Sequence, residues 1–366
     1  MRAALIEPSA TRLEVVADID IDDPRAGEVL VRVSHCGVCH SDLSLVDGTF
    51  PIMAPTVLGH EAAGVVQAIG PDVTELAVGD KVVLSPIAAC NACYWCVRGE
   101  YGCCVNNAAI MSGVLSDGRT PLSRHGAPVL RGVGLAGFAE LVITPVSGAI
   151  KVPDDTPLEI VCVIGCAVQT GVGAVLNTAR VPEGATVLVV GAGGIGIAIV
   201  QGARIAGATR IIVSDPVGER RENAMRFGAT DVVDPTAEDV VGRVQALTGG
   251  IGVDDAFDAV GSTVAIDACV QSTRNGGTTV LVGAGNLEQT LTVAPPVLMT
   301  MSERKIMGSC LGGSNGRRDI PRLVALWRSG RLDLEGMITS RRPLGEINEA
   351  MADLTAGRGL RTVLTI

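Results

Sequence analysis

The sequence predicts an α/β protein in two parts, a doubly wound parallel sheet domain and an irregular β-rich domain. Three observations carry this expectation. Residues 1 to about 150 are rich in Val, Gly and Pro and hold short alternating runs such as EVLVRVS (28–34) and AGVVQAI (63–69), the pattern of strands between turns. From about 180 to 310 the texture changes to apolar strand, glycine turn, small-residue helix and apolar strand, as in TVLVVGAGGIGIAIVQGARIAGATRIIVSDP (186–216). Strands that alternate with helices indicate a parallel sheet covered on both faces. The chain has 366 residues, 47% hydrophobic and 19% charged, enough for two ordered cores.

Composition also excludes classes of function. A net charge of -10 argues against nucleic acid or an anionic membrane surface as the main partner. The N-terminal MRAALIEPSATRLEVV (1–16) alternates like a strand and has no long apolar stretch, so no export signal is read. No apolar run reaches the length of a membrane span. The expectation is a cytoplasmic protein. In that reducing compartment eleven cysteines point to metal binding or redox chemistry rather than a disulfide framework.

Taken in order, the first chemical motif is CGVCHSD (36–42). Its Cys36-x-x-Cys39-His40 spacing fits a c-type haem, half of a zinc site or a redox pair; the absence of an export signal counts against haem. GHE (59–61) follows. In CNACYWCVRGEYGCC (90–104), Cys90, Cys93, Cys96 and Cys104 provide four thiolates for a closed tetrahedral zinc site, more than for an iron–sulfur cluster, with Cys103 as a competitor for Cys104. Cys166 lies in IGCAVQTGVGA (164–174). Spacing alone does not join Cys39, His60 and Cys166, and a lone histidine in an apolar stretch is more often structural. Joined, two thiolates and one imidazole would leave an open position on a zinc that polarises an alcohol or carbonyl.

Gly191-x-Gly193-x-x-Gly196 follows an apolar strand and opens a helix, and Asp215 ends the next strand. That context is a dinucleotide fingerprint. Gly191 permits the tight turn, Gly193 the approach of the pyrophosphate, and Gly196 close helix–strand packing. Asp215 favours the ribose hydroxyls of NAD over the phosphate of NADP; the neighbouring Arg220 and Arg221 soften that choice. DDAFDAVGS (254–262) and GTTVLVGA (277–284) read as further buried strand ends, and LRTVLTI (360–366) as a last strand.

GHEAAGVV, CGVCHSD, the four-cysteine lobe, GCAVQTG, GAGGIG and LRTVLTI occur in the order found in the zinc-dependent alcohol dehydrogenases. The chain resembles that family, within the medium-chain dehydrogenase/reductase superfamily, in its longer, liver-type form. The resemblance implies a GroES-like catalytic domain over 1–167 with a zinc lobe at about 88–106, a Rossmann domain over 168–310, and a return to the catalytic domain over 311–366. It implies two zinc ions per chain and NAD. Cys39, His60 and Cys166 match the catalytic zinc ligands, and Cys90, Cys93, Cys96 and Cys104 the structural ones. Glu61 matches an acid near the metal, Asp42 the carboxylate that orients the histidine, and Ser41 the hydroxyl that takes the alcohol's proton. Thr170 matches the residue near the nicotinamide. Gly191, Gly193, Gly194, Ile195, Gly196 and Asp215 match the fingerprint, Arg220 a basic residue beside the ribose, and Arg361 one reaching the pyrophosphate.

Some positions depart from the family. His40 stands where many members place an arginine against the pyrophosphate. Ser44 replaces the histidine that ends the proton relay, so the proton leaves by water, the ribose or His40. Phe50 and Ala108 occupy the places where glutathione-dependent formaldehyde dehydrogenases carry an acid and an arginine, which weakens that alternative. Phe50, Pro86, Val133, Ala284 and Leu311 are the expected pocket residues, and Gly132 falls where some relatives have an aromatic. The implied substrate is a small alcohol or aldehyde, medium-chain or bulky and apolar. A zinc-free quinone or enoyl reductase and a catalytically silent relative are the other readings. PPVLMTMSERKIMGS (295–309) is the expected edge of a homodimer formed through the Rossmann domain.

Overall fold

The computed structural model describes every residue from Met1 to Ile366. It divides into two compact units, one of Met1–Ala167, Asn315–Gly330 and Leu334–Ile366, the other of Val168–Ser314 and Arg331–Asp333. No single helix is long and apolar enough to cross a membrane.

The first unit is β-rich. One sheet runs in the order Ala149–Lys151, Lys81–Leu84, Glu61–Ile69, Glu28–Gly37, Arg361–Thr365, Ile338–Pro343, with Leu141–Pro145 also paired to Glu28–Gly37. In the central strand Val29, Val31, Val33 and Cys36 point into the main apolar core. Alternation with period two puts them there, and a register shift between Val33 and His35 keeps Cys36 inward. The N-terminal segment is not the single alternating strand expected. Ala3–Ile6 is buried on both faces, and the chain turns back to pair Glu14–Val16 antiparallel with it. Pro8 offers no N–H and Ser9 has a φ of +67°, so the strand stops. Ala4 and Ile6 enter the main core while Ala3 and Leu5 enter a second one, which is why both faces are covered.

The second unit is a six-stranded sheet in the order Asp231–Val233, Arg210–Ser214, Thr186–Val190, Val253–Asp258, Thr273–Leu281, Lys305–Gly308, with every pair parallel. The strand order reverses beside Thr186–Val190, which creates the crevice where such sheets bind dinucleotides. Helix Gly194–Ala206 is buried over most of its length because glycine and alanine let it lie close to its neighbours.

Asp255 lies inside this sheet. Burial pushes its carboxyl up to about 6, Asp254 adds to the rise, and Arg274 and Lys305 oppose it. The folded value is above the ordinary one, so stability present at low pH is lost as pH rises through 6. Asp255→Asn is expected to raise stability at pH 7 by about 1–2 kcal/mol and to give little gain at pH 4; thermal melts at the two pH values check this.

Candidate metal and nucleotide sites

Cys39 is the residue before helix His40–Val46, and its carbonyl accepts from the N–H groups of Asp42 and Leu43. Asp42 is fully buried, and three donors compensate its charge. Oδ2 accepts from Cys39 N at 3.3 Å, while Oδ1 accepts from Gly59 N at 2.9 Å and lies 3.1 Å from His60 Nδ1. One carboxylate thus ties the start of the helix to the turn that carries His60. Gly59 has a φ of +91°, and a Cβ there would come 2.5 Å from Phe138 N. Phe138 N donates to Leu58 O and Gly137 N to Gly59 O, which locks the turn. Asp42 on Nδ1 leaves Nε2 to face the site, 3.2 Å from Cys166 Sγ.

Cys39, His60 and Cys166 are all buried, and their ligand atoms lie within 4.8 Å of one another. Two buried thiols compete for a proton here. The hydrogen bond between them pulls Cys39 well below the ordinary thiol range and pushes Cys166 well above it. Burial works against a charged His60, but Asp42 and Cys39 outweigh it and hold the ring well above its usual value. A divalent cation satisfies two thiolates and a neutral imidazole together, so the donor set fits zinc. Ser41 Oγ stands 3.9 Å from Cys39 Sγ.

Behind the cysteines, Glu61 Oε1 accepts from Ala167 N at 2.8 Å, and Oε2 faces Arg361 Nε at 3.5 Å. Gly37 makes room, since a Cβ there would overlap Glu61 Oε2. Strand Arg361–Thr365 pairs Val363 with Gly37, which brings the buried Arg361 beside Glu61, where Nη1 donates to Val38 O at 2.8 Å. Burial raises the Glu61 carboxyl to about 7 against the pull of Arg361. Cys36 stays outside this group, buried in the apolar core with its Sγ 3.6 Å from Gly37 O.

Cys90, Cys93, Cys96 and Cys104 form a second group with ligand atoms within 4.8 Å of one another. Backbone N–H groups point at the sulfurs: Cys93 N to Cys90 Sγ and Cys90 N to Cys104 Sγ, both at 3.3 Å. Such donors favour thiolates. N–H groups of Val105 and Cys96 hold Cys93 down to about 6, whereas burial pushes Cys96 up to about 12. Cys103 is exposed and lies outside the group. Four sulfurs with no free position fit a structural zinc.

In the second unit Gly191 turns with a φ of +94°. A Cβ on Gly196 would overlap Gly191 O, while one on Gly193 would meet nothing within 4 Å. The space over Gly193 is a cradle that a side chain would fill. Gly194 and Ile195 begin the helix beside it. The buried Asp215 accepts from Ala192 N and Val217 N, both at 2.8 Å, so its carboxylate is fixed at the strand end. Arg221 is committed to Asp234 and to Asp215 O. Arg220 Nη1 lies 3.9 Å from Asp215 Oδ2, and its buried Nε has no partner. An open glycine cradle beside a fixed carboxylate and a cation fits a dinucleotide.

Family models match both parts of the chain: an alcohol dehydrogenase GroES-like domain over residues 25–154 and a zinc-binding dehydrogenase domain over 194–329. An S-(hydroxymethyl)glutathione dehydrogenase of Escherichia coli O1:K1 is 38% identical, with 99% of each chain covered. The chain belongs to the zinc-dependent alcohol dehydrogenases of the medium-chain dehydrogenase/reductase superfamily. An NDMA-dependent alcohol dehydrogenase of Amycolatopsis methanolica is 36% identical over 99% of this chain and 98% of its own. The crystal structure of benzyl alcohol dehydrogenase from Acinetobacter calcoaceticus superposes with a TM-score of 0.93 at 32% identity, covering 100% of this chain and 99% of that one.

The remaining positions singled out by resemblance to the zinc alcohol dehydrogenases are spread over both units. In the first, Phe50 is half-buried and donates its N–H to Ser44 O, Pro86 is buried, and Val133 sits half-buried at a φ of +50° between two glycines. Gly132 is confined, because a Cβ would come 2.5 Å from Leu58 Cδ2. His40 is exposed on the first turn of its helix. In the second unit Thr170 is buried on Ala167–Gly173, Ala284 is exposed, and Leu311 is buried at a φ of +47°. Gly37 and Gly137 were not singled out from sequence; Gly37 lies between Cys36 and Cys39, whereas Gly137, in AGFAE (136–140), carries no local signal.

Proposed function

We propose that this zinc alcohol dehydrogenase binds two zinc ions per chain, one at Cys39, His60 and Cys166 and one at Cys90, Cys93, Cys96 and Cys104, and uses NAD to interconvert bulky apolar primary alcohols and their aldehydes. The observation that carries the reading is the convergence of two buried thiols and one buried imidazole nitrogen, with the half-buried Ser41 hydroxyl 3.9 Å from the Cys39 sulfur. Bound there, zinc supplies Lewis-acid polarisation of the alcohol or carbonyl oxygen, and NAD supplies the hydride acceptor. The chain's own residues do the rest. Asp42 fixes the His60 ring with Nδ1 as donor, which sets Nε2 as the ligand nitrogen. Ser41 Oγ takes the alcohol's proton and passes it outward. Glu61 and Arg361 compensate each other's charge behind the thiols. Gly193 admits the pyrophosphate, and Asp215 receives the ribose hydroxyls, with Arg220 alongside.

The relatives of this chain point to two classes of substrate. Similarity to a benzyl alcohol dehydrogenase agrees with the apolar Phe50, Pro86 and Val133. Similarity to an S-(hydroxymethyl)glutathione dehydrogenase favours a charged thiol adduct, but Phe50 and Ala108 provide no charge partner for one. Benzyl alcohol and octanol are therefore expected to exceed ethanol in kcat/KM by about tenfold or more, with S-hydroxymethylglutathione below all three. An NADH absorbance assay across these substrates decides it; a profile led by the glutathione adduct overturns the substrate reading.

We also infer a cytoplasmic homodimer. Thiolate metal sites call for a reducing compartment. Edge strand Lys305–Gly308 is mostly exposed, and Leu287, Leu291, Val297, Leu298 and Met301 expose apolar surface in the same unit. An open strand beside exposed apolar groups is suited to pairing with a second copy.

A further inference from the structure

Helix Ala167–Gly173 continues into a π-helix, Ala174–Ala179. π turns are rare and recur at functional sites. Packed on it within the same unit is Ser309–Ser314, where Leu311, Gly312 and Gly313 hold φ values of +47°, +67° and +58°. Gly312 and Gly313 accept that region freely, but Leu311 in it is a strained residue that its surroundings must hold.

Two side chains of the π turn do the holding. Thr178 Oγ1 lies 2.8 Å from Ser309 Oγ, and Asn177 Nδ2 donates to Gly312 O at 3.3 Å and to Ser314 Oγ at 3.4 Å. Ser314 Oγ in turn donates to Gln169 O at 3.3 Å. Close backbone contact completes the clasp. A Cβ on Gly312 would overlap Gln169 O and come 2.7 Å from Thr170 O, and one on Gly173 would come 2.5 Å from Gly312 O. The left-handed turn is thus pressed against the carbonyls of Gln169 and Thr170 and pinned from behind by Asn177 and Thr178.

We propose that Asn177 and Thr178 are positioning residues for the nicotinamide end of the cofactor: they hold the Leu311–Gly313 turn against Gln169 and Thr170 and so shape the wall that the ring meets. This rests on the reading of Thr170 as the residue beside the nicotinamide. Neither side chain touches a reacting atom, and each acts through the turn.

The test measures binding to the zinc-loaded full-length protein by titration calorimetry, with NADH and with ADP-ribose, which lacks the nicotinamide. The double variant Asn177→Ala/Thr178→Val is expected to bind NADH about tenfold more weakly, as for one or two lost hydrogen bonds, and ADP-ribose within about twofold of the parent. Equal loss of both ligands, or loss of neither, overturns the proposal. Should that variant fail to fold, Ser309→Ala removes the partner hydroxyl and carries the same two outcomes. Thr170→Val tests the premise separately. If it leaves the ratio of NADH to ADP-ribose affinity unchanged, Thr170 is not beside the nicotinamide and the reading of the site fails, whatever the clasp variants do.

Discussion

Cys39→Ala leaves the purified protein with one zinc fewer per chain and lowers alcohol oxidation by about a thousandfold or more, the several kcal/mol that a Lewis acid contributes. The reason is the donor count. Cys39, His60 and Cys166 provide only three ligand atoms, and removing one leaves a thiol and an imidazole, too few to retain the ion. The fold around the site survives, because Asp42 is held by the backbone N–H groups of residue 39 and Gly59, which the substitution leaves in place. Cys36→Ala is the control. Cys36 packs in the main apolar core, outside the metal group, so this variant keeps both metals and most of its activity. Metal analysis with the NADH assay reads both. A Cys36 variant that loses zinc while the Cys39 variant keeps it would reverse the assignment.

The second large effect concerns two glycines three residues apart. Gly193→Ala keeps the parent melting temperature, since its Cβ meets nothing within 4 Å and its φ of -73° suits any residue. It is expected to weaken NADH by about a hundredfold, because the methyl fills the space proposed for the pyrophosphate. Gly196→Ala behaves differently. Its Cβ would overlap Gly191 O, so helix Gly194–Ala206 must move off strand Thr186–Val190. Here stability falls together with cofactor affinity. Thermal melts combined with NADH titration separate the two cases. A Gly193 variant that binds NADH normally would remove the cofactor from this turn.

The order of motifs was enough to read the family and both fold classes, and the family models and full-length relatives agree with that reading. The parallel sheet was the easier half. Its strands carry continuous apolar runs, and the glycine turn punctuates them, as between Val190 and Gly194. Local signals were weaker where long-range packing decides. The N-terminal segment read as one strand, and only the two cores on either side of Ala3–Ile6 explain why four consecutive residues are buried. Strand Thr273–Leu281 starts earlier than the apolar run GTTVLVGA, because Thr273 already pairs with Val253 before the register shifts. The metal corner shows the same limit. Cys39, His60 and Cys166 stand on a helix start, a strand start and the end of a 3-10 turn, and no local spacing links them. The glycines that hold them, Gly37 and Gly59, are visible in the sequence, but the atoms that exclude a side chain come from Glu61 and Phe138.

Zinc K-edge absorption on the purified wild-type protein tests most directly whether the chain holds a mixed sulfur and nitrogen site as well as an all-sulfur one. Six thiolates and one imidazole from the two groups predict about two zinc ions per chain with, on average, about three sulfur ligands and one lighter ligand each, at Zn–S distances of about 2.3 Å. Cys39→Ala shifts this average toward four sulfurs as the mixed site empties. A wild-type spectrum showing four sulfurs with one zinc per chain, or no zinc at all, would contradict the account.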